Sequence, residues 1–196
     1  VLKLRYTVVA LRSAVLARAH IANQEGTTES RLETNLQLLR LAHLELRSNG
    51  TDWDEVFAGL ENEALIGFWN IHAKLPAQTC KDLANELWTM EQNRETWEKR
   101  VERQRIFDQN SGWQAYLQQI QADWNGVDPY DSQKHNDLLR QVEMRMLVLG
   151  LAIRAYRIDN GVVPASLRDL VPEYLPTVPS DPFGSGLLQY QIDKDA

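Results

Sequence analysis

The fold is decided by residues 146–161, MLVLGLAIRAYRIDNG, and by the segment that follows them. The first eight residues form a nearly continuous apolar run, which is typical of a helix that is buried around its circumference. Gly161 lies where a left-handed residue can end a helix, and Pro164 prevents the helix from resuming. The stretch therefore predicts a long central helix, from about residue 131 to residue 159, that ends at a glycine.

The segment beyond this helix carries two further local signals. Ser166 can cap a short turn over residues 167–171, which Pro172 ends. Residues 181–184, DPFG, place Asp, Pro and Gly at the first, second and fourth positions favoured in a type I turn. Residues 187–192 then alternate as a strand does, so a small β-like tail is predicted.

Upstream, apolar residues recur at intervals of three and four, as they do along one face of a helix. Helices are predicted over residues 2–23, 52–75, 80–108 and 113–125. A further helix, which Thr27 or Thr28 can cap and residues 48–50 end, is marked by Leu32, Leu36, Leu39 and Leu46. Gly59 is a point where the third can break, and residues 92–96 interrupt the fourth with a wholly polar stretch. We therefore expect an all-α fold, a multi-helix bundle with a small C-terminal turn or β-like tail. Residues 1–130 form the helical region, and residues 131–196 add the central helix and tail within one compact domain.

Composition narrows the classes of function. The chain has 196 residues, of which 43% are hydrophobic and 24% charged, and its net charge is −6. Because a nucleic-acid surface needs clustered Lys and Arg, no nucleic-acid partner is expected. The arginines between Arg94 and Arg105 alternate with glutamates, which indicates a solvated helical face. No apolar run reaches the length of a membrane span, although an anchor upstream of Val1 is an expectation.

Side chains that bind metals or act as nucleophiles are scattered along the sequence. Cys80 is the single cysteine, and we expect it to be a small packed residue. The four histidines are dispersed, with no pair at helical ligand spacing, so neither a metal site nor a cofactor is predicted.

Two groups of residues remain as candidates for binding or chemistry. Four aromatic residues gather around two glycine-containing breaks with glutamines between them, an arrangement that suits sugars or extended peptides: Trp113, Tyr116, Trp124 and Tyr130. The alternative is that these rings seal the core beside a loop. Five carboxylates could imitate the acid pair of a glycosidase, or could simply favour a helix start: Asp52, Asp54, Glu55, Glu61 and Glu63.

The order of residues near the C-terminus resembles the globular part of type II secretion major pseudopilins and related type IV pilin-like proteins. In that family the long helix ends in a Tyr-x-x-Asp-x-Gly-x-Tyr-Pro pattern, followed by Leu-x-x-Leu, Tyr-Leu, an Asp-Pro-Trp/Phe-Gly turn and a strand containing Tyr. The matching residues here are Tyr156, Asp159, Gly161, Pro164, Leu167, Leu170, Tyr174, Leu175, Asp181, Pro182, Phe183, Gly184 and Tyr190.

The resemblance covers residues 146–190, and the remainder of the chain is unrecognised. The family's opening pattern, Phe-Thr-Leu-Ile-Glu, does not occur in this sequence. The resemblance therefore implies a pilin-like element carried on a different helical protein. The family's calcium loop raises the alternative that Asp181, Asp193 and Asp195 bind calcium, whereas turn geometry favours a structural role for Asp181.

Together these observations favour a non-enzymatic structural or interaction module of a cell-envelope or secretion-related system. Its partner would be a protein or an envelope component. The expected location is the periplasm or the outer side of a membrane, and the cytoplasm is the alternative. The alternative is a hydrolase, or the accessory domain of one, that acts on sugars or peptides.

Overall fold

The computed structural model describes residues 2–46, 54–111 and 131–192. Six helices in these ranges pack as a bundle, which confirms the predicted all-α class. They are α1 (Leu2–Glu25), α2 (Thr28–Leu46), α3 (Asp54–Ile71), α4 (Ala77–Gln92), α5 (Trp97–Ser111) and α6 (Asp131–Asn160). Short 3-10 turns lie at His72–Lys74 and Leu167–Leu170.

The predicted helix over residues 80–108 is wrong, because the structure has two helices there. α4 begins directly after Pro76 and ends at Gln92, and α5 begins only at Trp97. The polar stretch between them closes with a tight turn in which the backbone N–H of Arg94 donates to the carbonyl of Glu91, at 3.1 Å. The break turns the Arg94 side chain into the bundle. By contrast, α3 continues through Gly59, where a break was foreseen.

α4 and α6 form the centre of the bundle and run antiparallel, since the start of α4 lies beside the end of α6. Lys81 near the start of α4 pairs with Asp159 at 3.3 Å, and Glu91 near its end pairs with Arg145 at 3.1 Å. Between these two pairs the facing side chains are apolar and buried: Leu83, Ala84, Leu87, Met144, Leu147, Val148, Leu151, Ala152 and Ala155. Burial of these side chains is the main force that holds the two helices together.

The prediction that residues 146–153 are buried around the whole helix is wrong on one side, where Gly150 and Ile153 are only partly buried and Met146 is exposed. Leu147, Val148 and Leu151 are fully buried, but Met146 is 53% exposed. α3 and α4 pack against α6 and leave this side uncovered. When a helix is apolar around its whole circumference, its sequence does not indicate which side the neighbouring helices leave exposed.

α1, α2 and α3 form the other side of the bundle. The amide groups of Asn23 on α1 and Asn35 on α2 donate to each other, at 3.0 and 3.1 Å. Gly67 on α3 allows this pair to lie close, because a Cβ at that position would collide with the Asn35 amide. The contact positions α1 against α2 near the hairpin turn at Gly26.

The C-terminal segment, residues 161–192, folds back over α4 and α6. Gly161 has a φ of +74° and its N–H donates to the carbonyl of Arg157 at 2.9 Å, so the predicted glycine helix stop is confirmed. The tail is less regular than predicted. Its β structure, within the described residues, is a bridge between Ser180 and Leu187.

Candidate functional site

Charged side chains meet inside the bundle where α2, α3, α4, α5 and α6 approach one another. Three carboxylates, four guanidinium groups and one imidazole belong to this ion cluster, and each side chain is at most 15% exposed. Its members are His43, Glu61, Glu91, Arg94, Arg100, Asp137, Arg140 and Arg145. Buried charges in this number would destabilise the fold unless each lay beside a group of opposite charge.

Glu61 on α3 lies at the centre of the ion cluster and is fully buried. Its carboxylate contacts the Arg94 guanidinium, the His43 Nε2 atom at 3.5 Å and the Arg140 Nε atom at 3.6 Å. Burial alone would raise the pKa of Glu61, but the positive charge of Arg94 and the adjacent His43 ring outweigh burial and hold that pKa well below its ordinary value. The carboxylate therefore stays ionised throughout the neutral range.

Arg94, in the turn between α4 and α5, joins Glu61 to the other two carboxylates. Its Nε atom donates to Glu91 at 2.7 Å, and its Nη1 atom lies 4.0 Å from Asp137. Burial opposes the charge, but the attraction of Glu61 and then of Glu91 raises the pKa of Arg94 above its ordinary value. Arg94 thus holds α3, α4 and α6 together through charge-assisted hydrogen bonds.

The remaining arginines complete the ion cluster from α5 and α6. Arg100 on α5 contacts Asp137 on α6, and its guanidinium lies 5.2 Å from the centre of the Trp97 ring. Arg145 donates to Glu91 at 3.1 Å and to the carbonyl of Ser180 at 2.8 Å. The same arginine therefore fastens α4 and the C-terminal segment to α6.

This geometry corrects the interpretation of residues 94–105 as a solvated face. Arg100 is 1% exposed and Gln104 is 3% exposed, whereas Lys99 and Glu102 between them are exposed. The sequence pattern of alternating charges is the same whether that side of the helix faces water or packs against a buried carboxylate. The polar interruption at residues 92–96 was the local signal of a break, but Glu61, the partner of Arg94, lies 33 positions away in sequence.

Glu61 serves in the ion cluster as a counter-charge and is not a general acid. A carboxylate whose pKa is depressed and whose oxygens contact guanidinium groups does not release a proton to a substrate near neutral pH. The two described acidic residues of the predicted group, Glu61 and Glu63, do not form a pair with each other. Glu61 faces the ion cluster, while Glu63 lies 3.7 Å from His20 on α1. Asp52 lies outside the described residues, and the side chains of Asp54 and Glu55 are likewise not described.

Several residues of the C-terminal motif come together around Tyr174. Its ring lies 5.3 Å from the Tyr156 ring, and its hydroxyl donates to the Asp159 carboxylate at 3.2 Å. The Asn160 amide donates to the same hydroxyl at 3.0 Å. These bonds make the end of α6 and the returning segment one structural unit.

Pro164 and Tyr190 belong to the same unit. The Tyr190 hydroxyl donates to the carbonyl of the buried Pro164 at 3.0 Å, which ties the tail to the exit of α6. Burial raises the pKa of Tyr190 above its ordinary value, so the hydroxyl remains a donor at neutral pH. These hydrogen bonds give the motif residues a structural role, because they hold the C-terminal segment against α6.

The turn at residues 181–184 forms as predicted. The Phe183 N–H donates to the Asp181 carboxylate at 2.9 Å, and the Gly184 N–H lies 3.3 Å from the Asp181 carbonyl. Pro182 occupies the second position of this turn. Phe183 reaches α6 far from Tyr156 and Ile153, which lie near the end of that helix. Its ring centre lies 5.5 Å from that of His135, near the other end of α6, and the residue is 49% exposed.

The predicted aromatic group lies outside the described residues. Trp113, Tyr116, Trp124 and Tyr130 all fall within residues 112–130, so their use for a ligand stays a prediction. Asp193 and Asp195, which entered the calcium alternative, also fall outside. Over residues 2–46, 54–111 and 131–192, no cluster of three or more His, Cys, Asp or Glu side chains has the arrangement of a metal site.

Cys80 on α4 is completely buried, as expected. Its thiol lies 3.8 Å from the carbonyl of Leu75, which also accepts bonds from the Arg154 guanidinium at 3.1 and 3.2 Å. Burial raises the pKa of the Cys80 thiol above its ordinary value, and Arg154 offsets only part of that effect. The thiol is therefore protonated at neutral pH and is not an activated nucleophile.

A groove of about 310 Å³ runs between α1 and α2 and was not foreseen from the sequence. Its lining is mostly apolar, with polar groups at the edge: Val15, Arg18, Ala19, Ala22, Thr34, Gln37, Leu38 and Leu41. Among the described residues, Arg18 takes part in no ion pair, which distinguishes it from the arginines of the ion cluster. A cation beside an apolar groove can bind an apolar segment that carries a negative charge.

The described helices include none with the length and hydropathy that a bilayer crossing requires. Comparison with known proteins gave no match to a protein-family model, to a curated protein or to a solved structure.

Proposed function

We propose that this chain is a non-enzymatic structural or interaction module of a cell-envelope or secretion-related system, with a pilin-like C-terminal element. Its partner is a protein or envelope component, and nucleic acid is not a partner. The envelope assignment rests on the resemblance of residues 146–190 to pilin-like proteins. The same resemblance supports the periplasm or the outer side of a membrane as the location of the module.

The observation that supports an interaction module is the contrast between the ion cluster and the groove. The buried carboxylates are neutralised by arginines and hold helices together, so they offer nothing to a substrate. The groove between α1 and α2 is open, apolar and edged by Arg18, a cation without an ion-pair partner in the described part of the chain. An apolar partner segment carrying an Asp or Glu side chain complements both features.

Site-specific photo-crosslinking in the cell that makes the protein tests this proposal. A photoreactive phenylalanine analogue at Gln37, on the exposed edge of the groove, should yield one discrete protein adduct in the envelope fraction. The same analogue at Glu102, exposed on α5, serves as the control and should not give that adduct. Arg18→Glu should abolish the adduct at Gln37, because it places a negative charge against the acidic partner segment.

Two results would contradict the proposal. The first is the absence of a Gln37-specific adduct, or its recovery only among cytoplasmic proteins. The second is turnover of a sugar or peptide substrate by the purified chain, lost on substitution of Trp113 or Trp124 without loss of folding. That second result would favour the hydrolase alternative.

A further inference from the structure

One exposed strip of α6 combines apolar side chains with two charges. Leu139, Met146, Gly150 and Ile153 recur at intervals of seven, four and three residues, so they lie on the same side of the helix. Leu139 is 43% exposed and Met146 is 53% exposed. This strip, which we call the α6 face, lies on the side of α6 opposite its buried residues Leu147, Val148 and Leu151.

α3 widens the α6 face with two more apolar residues. The Trp69 ring lies against Gly150, because a Cβ at Gly150 would be only 3.1 Å from the Cη2 atom of Trp69. Trp69 is 38% exposed, and Ile66, one turn earlier on α3, is 48% exposed. Single exposed apolar residues are ordinary on protein surfaces, but a contiguous group that includes a Trp is typical of an interface.

Two charges of opposite sign lie on this side of α6 at equal distances from Gly150, where Trp69 packs. Glu143 lies seven residues before Gly150 and Arg157 lies seven residues after it, about 10 Å along the helix in each direction. Both side chains are exposed. Neither belongs to an ion pair or a side-chain hydrogen bond within residues 2–46, 54–111 and 131–192.

This spacing gives the α6 face a specific symmetry. In a pair of antiparallel α6 helices related by a two-fold axis at Gly150, Glu143 of each copy lies opposite Arg157 of the other. Both ion pairs then form at once, and Met146 and Trp69 of the two copies surround the axis. A symmetric dimer requires a surface of this self-complementary kind.

We propose that the α6 face is the interface of a symmetric homodimer of this chain. A second copy fits the face better than an unrelated partner, because opposite charges at equal distances from the contact between Gly150 and Trp69 are complementary to themselves. An unrelated partner would need no such relation between Glu143 and Arg157. This inference concerns the purified chain alone, so it does not depend on the proposed envelope function or on the groove between α1 and α2.

Charge reversal at the two flanking residues tests the dimer. Wild-type protein should be a dimer by sedimentation equilibrium, with a dissociation constant that Glu143→Arg and Arg157→Glu each weaken at least about tenfold, since like charges then meet twice across the axis. The controls, Glu102→Arg and Arg168→Glu, make the same changes of charge at exposed residues away from the face and should leave the constant unchanged. Circular dichroism should show equal helix content in all five proteins.

Mixing the two interface variants gives the sharpest outcome. A Glu143→Arg chain carries two positive residues on its α6 face, and an Arg157→Glu chain carries two negative ones. Each alone should be largely monomeric, and an equimolar mixture should form heterodimers with both ion pairs restored. Wild-type protein that stays monomeric up to about 1 mM, where only very weak association would escape detection, would overturn the proposal. So would variants that dimerise as the wild type does, or a mixture that stays monomeric.

Discussion

α4 and α6 are held together by different forces at their two ends. Where α4 begins and α6 ends, Leu83, Leu151 and their neighbours form an apolar contact that excludes water. Where α4 ends, Glu91 meets Arg94 and Arg145, and Glu61 enters from α3. The apolar end gains stability from burial whatever the pH, whereas the ion cluster is stable only while its members keep their charges. Substitutions at the two ends should therefore differ in size and in pH dependence.

The largest effect is expected from a charge placed in the apolar end. Leu149→Asp introduces a carboxylate into the apolar core, at a position that is 7% exposed. We expect a loss of about 5 kcal/mol in the free energy of unfolding, measured by urea denaturation. Ile158→Asp, on the same helix but at a residue that is 47% exposed, is the matched control and should cost less than about 1 kcal/mol. Equal losses in the two variants would show that this part of α6 is not in the core.

Removal of one charge from the ion cluster should have the next largest effect. Glu61→Gln keeps the size of the side chain but leaves the buried Arg94 without its main counter-charge. We expect a loss of about 3 kcal/mol in the free energy of unfolding. Glu63→Gln, two residues along the same helix at a partly exposed site, should cost less than about 1 kcal/mol. A wild-type melting curve for Glu61→Gln would contradict the buried pairing.

Low pH should reduce the free energy of unfolding through the same residue, Glu61. The pKa of Glu61 is held below its ordinary value of 4.5, so the folded protein keeps this carboxylate ionised while the unfolded chain takes up a proton. The stability that it contributes is present above that ordinary value and is lost as the pH falls through it toward the lower pKa of the folded state. Between about pH 5 and pH 3 we expect wild type to lose about 2 kcal/mol more than Glu61→Gln does. Urea titrations at several pH values measure the difference, and parallel pH profiles would contradict it.

The smallest effect is expected where α6 leaves the bundle. Gly161 has a φ of +74°, which a β-branched residue adopts only with strain. Gly161→Val should therefore reduce the free energy of unfolding by about 1–2 kcal/mol. Gly186→Val tests the same substitution at a glycine without positive φ and with open space around it, and should cost less than about 0.5 kcal/mol. A thermal melt of both variants distinguishes backbone strain from a general effect of valine.

The sequence predicted those features that depend on neighbouring residues. The bounds of α6, the glycine stop at Gly161 and the turn at Asp181 follow from local rules of helix termination and turn chemistry, and the structure confirms them. The ion cluster could not be predicted in this way. The pairing of Arg94 with Glu61, and of Arg100 with Asp137, joins residues more than thirty positions apart, and a charged residue on a helix has the same local pattern whether it is buried or exposed.

The exposed strip of α6 escaped prediction for a related reason. The apolar run at residues 146–153 correctly indicated a core helix, but it carries no information about which side the neighbouring helices cover. Met146 is exposed because of the positions of α3 and α4, and those positions depend on contacts such as the one between Trp69 and Gly150. The groove between α1 and α2 likewise depends on the angle between two helices, which their separate sequences do not specify.

The central claim is that buried charge pairs hold one end of the bundle together, and a double-mutant cycle between Glu61 and Arg94 tests it most directly. The free energy of unfolding is measured for wild type, Glu61→Gln, Arg94→Gln and the double variant at pH 7. We predict that the double variant is less destabilised than the sum of the two single variants by at least about 2 kcal/mol, because the second substitution removes the charge that the first left unpaired. Additive losses, with a coupling energy below about 0.5 kcal/mol, would contradict the account.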